Sequence, residues 1–166
     1  MRLLHYSPKP FELRPLDYVQ KHYAAPGKPN GLWVSVEGDD DWASWCSSEM
    51  PEWINGRAVT EIVLHEGADV LRITSLAQFD SFHRVYSEIP ERQRDWPKDI
   101  QSKEINWDRV AAVHAGVIIA PYQWSRRLHH NTMWYYGWDC ASGCIWNLDV
   151  IKECKEAGVA KATKQN

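Results

Sequence analysis

The chain has 166 residues, a formal charge of −3, four cysteines and ten tryptophans. Its length supports one domain with a sizeable core, and its slight acidity excludes a global basic field that would draw it to nucleic acid or an anionic membrane. Its longest apolar runs, such as residues 116–120, fall far below a bilayer span, and the N-terminus lacks the charged-then-apolar pattern of a secretory signal. The expectation is a cytoplasmic protein with no membrane partner and reduced thiols.

Residues 2–6 predict a first strand, ended by Pro8 and Pro10, which lack the donor a ladder needs. Pro15 opens a predicted helix to about Ala25, with Leu16, Val19 and Tyr23 on one face and Pro26-Gly27 closing it. Lys28 to Gly31 is turn chemistry, and residues 32–36 predict the next strand. Asp40 or Asp41 can cap a helix through Ser48 that carries Trp42, Trp45 and Cys46. Strands over 60–65 and 70–73, linked by Glu66 to Asp69, read as a hairpin-like pair. Ser75 with Gln78 makes a capping box for a helix to about Glu88, with Leu76, Phe79, Phe82 or His83, and Tyr86 as its buried stripe.

Residues 89–104, charged and holding two prolines, predict an exposed loop of the length at which loops serve as lids or recognition elements. Asn106 caps a helix with Trp107, Val110 and Val113, and residues 116–120 predict a buried strand halted by Pro121. Two final strands, over 132–138 and 144–151, flank Asp139-Cys140-Ala141-Ser142-Gly143. Several links are so short that only antiparallel neighbours permit them. The predicted architecture is α+β: one domain over residues 1–155, with mixed, mostly antiparallel split sheets flanked by short helices, and a polar tail over 156–166.

Three short stretches carry a likeness. His5-Tyr6-Ser7 resembles the His-Gly-Ser that ends the first strand in the poly(ADP-ribose) polymerase branch of ADP-ribosyltransferases, with its toxin-like, nucleic-acid-modifying relatives. Gly31 to Ser35 is similar to that branch's glycine-led second strand, and Trp42 to Cys46 to its next helix, where a tyrosine stacks on nicotinamide. The likeness covers mainly residues 1–50 and 132–150. It implies an ADP-ribosyltransferase-like fold with NAD as substrate and ADP-ribose passed to a macromolecular acceptor, nucleic acid or protein, or to water.

Residue by residue, the resemblance implies that His5 bonds the nicotinamide ribose, the Tyr6 backbone holds the carboxamide, Ser7 assists, Trp33 lines the site and Trp45 replaces the stacking tyrosine. Asp139 stands where the family has a glutamate. A carboxylate there suits the chemistry, because breaking the nicotinamide–ribose bond develops oxocarbenium character that a carboxylate stabilises. The chain departs from the family in that Asp139 is one methylene shorter, and Tyr6 occupies a glycine position, so its side chain must point away.

Each residue alone has a plainer reading: His5 as a structural histidine, Trp45 as core, Asp139 as a turn residue. Arg126, Arg127, His129 and His130 form the only clearly basic segment. They are either a solvated loop or partners for the cofactor's pyrophosphate, Arg126 foremost, or for acceptor phosphates, with Tyr122 and Trp124 offering stacking for unpaired bases. Two other functions compete with the enzyme. One is a non-catalytic, tryptophan-rich module that binds a nucleotide or single-stranded nucleic acid. The other is a zinc site from His129, His130, Cys140 and Cys144, whose spacing departs from the common patterns. Nothing in the chain demands a dimer.

Overall fold

The alternating apolar residues of β2 (Leu32–Val36) place it at the middle of a seven-stranded sheet. The structure, a computed structural model, describes residues 1–16, 18–20 and 27–161. β1 (Leu3–Ser7) runs antiparallel on one side of β2, with Leu4 opposite Ser35; β8 (Ser142–Ile145) runs antiparallel on the other, with Ser142 opposite the same Ser35. Beyond β1 come β3 (Ala58–Leu64) and β9 (Ile151–Val159). Beyond β8 come β7 (Gly116–Ile119) and, parallel to it, β4 (Val70–Ile73). The order is β4-β7-β8-β2-β1-β3-β9, so strands distant in sequence meet at the centre. With the helices α1 (Trp42–Glu49), α2 (Pro51–Ile54), α3 (Leu76–Tyr86), α4 (Trp107–Ala111) and α5 (Trp124–Arg127), this makes one compact α+β domain with a mixed sheet. Among the described residues no helix is long and apolar enough to cross a membrane.

The core is aromatic. Phe79 of α3 stacks on Trp134 with centroids 5.3 Å apart, and Trp107 of α4 meets Trp134, Trp138 and Trp146 at 6.0–6.4 Å. Trp107 is fully buried and its Nε1 donates to the Gly27 carbonyl at 3.1 Å, which satisfies the one polar atom of a large apolar ring. Of the ten tryptophans four are buried, three half-buried (Trp33, Trp42, Trp45) and three exposed (Trp53, Trp96, Trp124).

Several expectations are corrected. Residues 132–138 do not form a strand; a 3-10 segment over His130–Trp138 stands there, burying Trp134, Tyr135 and Trp138 at helical spacing and exposing Met133 and Tyr136. The final strands lie at Ser142–Ile145 and Ile151–Val159, split by a 3-10 turn at Leu148–Val150; the second takes in residues 156–159 of the expected tail. β3 and β4 are not a hairpin. The His65 N–H goes to the Val150 carbonyl, and β4 reaches its parallel partner β7 through a long helical crossover, as parallel strands require.

Residues 15, 16 and 18–20 are not helical: Leu16 and Val19 are exposed, and Gln20 accepts from the Asn30 N–H at 2.9 Å. The rest of that expected helix lies outside the described residues. Residues 89–104 are exposed over most of their length, as expected of a loop, and are pinned at a few points. β5 (Ser87–Glu88) pairs with β6 (Glu104–Ile105), and buried Gln93 accepts from the Ser102 N–H at 2.8 Å and donates to Glu104 at 3.0 Å.

Close approach of β7 and β8 depends on Gly143. A Cβ there would meet the Val117 carbonyl oxygen and Ile118 Cγ1, both at 2.6 Å. Gly143→Ala is therefore expected to cost about 1–3 kcal/mol in urea unfolding. Gly137→Ala, which meets only the flexible end of Lys28 at 3.4 Å, should stay within about 0.5 kcal/mol.

Candidate active site

β1, β2 and β8 together wall a cavity of about 220 Å³. Leu4 and Tyr6 border it from β1, Trp33 and Ser35 from β2, and Ser142 from β8, while Trp42, Trp138, Cys140 and Lys28 close it from outside the sheet; His5 also borders it, but its ring packs edge-on to Phe11, centroids 5.3 Å apart, in the hollow that holds Ser7. That volume lies below the roughly 300–1,000 Å³ of pockets that enclose a drug-sized ligand. It suits one flat ring with part of an attached group.

Local bonds orient the wall. Asp41 caps α1, accepting from the Ser44 N–H at 2.7 Å, and Ser35 Oγ accepts from the Trp42 N–H at 2.8 Å. The helix thus starts at Trp42 and turns that indole to the cavity. Trp45, one turn on, stacks behind Trp42 with centroids 4.9 Å apart and rings inclined by 16°, and lies in a neighbouring hollow. Trp138 meets Trp33 edge-on at 4.9 Å, and the Lys28 ammonium sits 5.1 Å from the Trp33 ring centre.

His5 Nδ1 lies 2.8 Å from the Trp33 carbonyl. A carbonyl oxygen only accepts, so Nδ1 carries the proton and Nε2 is left as an acceptor for a hydroxyl or amide N–H. Burial holds the ring below its ordinary pKa of 6.5, against the opposing pull of that carbonyl, and so favours the neutral form. Burial, with the charge of Asp41 next, pushes the Tyr6 hydroxyl up to about 12, so it remains a donor at neutral pH. Burial likewise pushes Cys140 up to about 12 and Cys144 well above its usual range, so neither is a thiolate nucleophile at neutral pH.

The cavity unites His5, Tyr6 and Trp33 of the residues singled out by sequence. Ser7 faces another hollow with Phe11 and Arg14, its hydroxyl donating to the Lys9 carbonyl at 2.6 Å. Arg126 makes a two-pronged ion pair with Asp80, at 2.8 and 2.7 Å, and does not line the cavity. Asp139, at a positive φ of 57°, faces the hollow that holds Trp45, with Arg127 3.6 Å from its carboxylate. No carboxylate stands among the described residues that line the ring cavity.

Trp42, Trp138, Lys28 and Ser142 escaped sequence reasoning. Choosing Trp42 over Trp45 required knowing that Asp41 rather than Asp40 caps the helix. The zinc alternative fails on geometry: His129 and His130 are exposed, Cys140 and Cys144 are buried, and among the described residues no three such groups are placed to share a metal ion. No family model, curated protein or solved structure matches this chain.

The state of His5 can be read directly. Because burial lowers its folded pKa below 6.5, the unfolded chain takes up that proton first as the pH falls. Its contribution to stability is full above about pH 6.5 and is lost as the pH drops from there through the folded pKa. Titration of the His5 ring by NMR is expected to give a midpoint below 6.5; a midpoint at or above 6.5 would mean that burial does not govern the ring.

Proposed function

We propose that the chain is an NAD-dependent mono-ADP-ribosyltransferase that breaks the nicotinamide–ribose bond and passes ADP-ribose to a macromolecular acceptor. The reading rests on one observation: strands one, two and eight lie side by side, so that His5, Tyr6 and three tryptophans, Trp33, Trp42 and Trp138, border a single ring-sized cavity. Each of the three stretches that resemble the poly(ADP-ribose) polymerase branch contributes residues to its wall, and an ADP-ribosyltransferase-like fold is part of the same proposal.

In this reading the positively charged nicotinamide of NAD lies against Trp42, where indole and cation attract. His5 accepts from a ribose hydroxyl through Nε2, with its tautomer set by the Trp33 carbonyl. Loss of nicotinamide moves positive charge onto the ribose, and a neighbouring carboxylate lowers that barrier. Asp139 serves the ribose from the adjoining hollow: Asp139 and Asp41 border that hollow, and their chain neighbours Cys140 and Trp42 line the cavity. The tyrosine at the family's glycine position lines the cavity.

A non-catalytic nucleotide-binding module is the second reading. It is favoured by the carboxylate of Asp139 facing Arg127 rather than the ring cavity. Nicotinamide release from NAD separates the two. An enzyme should lose turnover about 100-fold or more in Asp139→Ala while keeping most of its NAD affinity, and Trp42→Ala should weaken NAD binding by about 1–3 kcal/mol. NAD binding without release in the wild-type chain supports the module. Neither release nor binding overturns both.

A further inference from the structure

The polar groups of the ring cavity are lopsided. Its described lining holds one ammonium, that of Lys28, and no carboxylate. Among the described residues no carboxylate forms an ion pair with Lys28 either. The stem of Lys28 passes Gly137, where an added Cβ would meet Cε at 3.4 Å, and Nζ lies 5.1 Å from the Trp33 ring centre. Trp33 stands on the cavity face of the sheet: Ser35, two residues on, is opposite both Leu4 and Ser142, which border the cavity with it.

The hydrogen-bonding capacity left over has the same sign. Ser35, 4 % exposed, accepts the Trp42 N–H at 2.8 Å, and its own O–H has no acceptor among the described residues. Trp138, a lining residue 2 % exposed, has an indole N–H without a partner. The acceptor nitrogen of His5 belongs to a ring that packs in the other hollow. What is unspent around the cavity is therefore one positive charge and donors, and such groups call for an anionic acceptor.

Resting on the NAD reading above, we propose that the cavity selects a pyridine ring that carries a carboxylate, so that the preferred dinucleotide is the acid analogue of NAD, with nicotinate in place of nicotinamide. The positive ring lies on Trp42, and its carboxylate accepts from the Lys28 ammonium. A carboxamide offers an oxygen in the same place without the charge, and hence a weaker bond. One ammonium matches one carboxylate, in a space of about 220 Å³ that suits one ring and its substituent. When the bond from the anomeric carbon to the ring nitrogen breaks, its electron pair stays on that nitrogen and positive charge passes to the ribose. Nicotinate leaves as an anion paired with Lys28. The anomeric carbon bonds to the acceptor's nucleophilic atom, or to water, whose proton goes to solvent.

The test measures kcat/KM of the whole protein for nicotinate release from the acid analogue and for nicotinamide release from NAD, with water as acceptor. Binding of free nicotinate and free nicotinamide is followed alongside by tryptophan fluorescence. The wild-type chain is expected to favour the acid form about tenfold in both assays, and Lys28→Met to bring both ratios to about one. Near-ultraviolet circular dichroism of the tryptophans checks the fold of that variant, and the wild-type comparison stands without it. Release from NAD as fast as from the acid analogue, or faster, overturns the proposal and leaves the NAD reading standing. A preference that survives in folded Lys28→Met also overturns it. Release from neither dinucleotide removes the transferase reading; a Lys28-dependent preference for free nicotinate then keeps the carboxylate site, and equal binding of the two rings, or none, removes it.

Discussion

The edge-on contact of Trp33 with Trp138 joins the sheet to its aromatic core, and the cavity depends on it. Trp138 packs against Trp107, Trp134 and Tyr135 on the core side while it closes the cavity over β2. The ring site is thus not a cleft between mobile parts; one of its walls belongs to the core. Rigid aromatic area costs little entropy to hold in place, so such a wall can present a face to a ligand without being ordered by it.

A second constraint is helical. Asp41 takes up the Ser44 N–H in the first turn of α1, and Ser35 holds the Trp42 N–H from the central strand. Together these bonds decide which indole enters the cavity and which stacks behind it. They also divide the acidic stretch Asp39-Asp40-Asp41 between backbone capping and the hollow outside, so two unlike environments, one apolar and aromatic, the other aromatic and anionic, stand back to back across a single helical turn.

Local patterns were legible where the determinants are local. Residues 32–36 and 70–73 read as strands from their β-formers, and Ser75 and Asn106 as caps from their side-chain oxygens; all four stand in the structure. Misreadings came from non-local choices. The aromatics of residues 132–138 have high β propensity, but Trp134, Tyr135 and Trp138 share a helical face, and burial against Phe79 and Trp107 outweighs propensity. The short link between β3 and β4 suggested pairing, yet the partners of β4 lie more than forty residues away in sequence. At the site, His5, Tyr6 and Trp33 were singled out by the likeness of two short stretches to a family's strands, and the pairing of β1 with β2 brings them to the border of one cavity. Asp139 was placed by its neighbour in sequence, and a left-handed backbone at that residue is what sends it to the other hollow.

At the far edge of the sheet, one side of the nine-residue strand β9 has no ladder partner among the described residues. It presents Lys152, Glu153, Lys155 and Glu156 to solvent, and its register to β3 slips at two places. A flat apolar edge of that length would template another chain, whereas alternating charge and irregular register do not. At high concentration, two copies meeting edge to edge would have to desolvate ammonium and carboxylate groups before the first interchain hydrogen bond formed, which gives the fold resistance to fibrous growth from the strand that closes it.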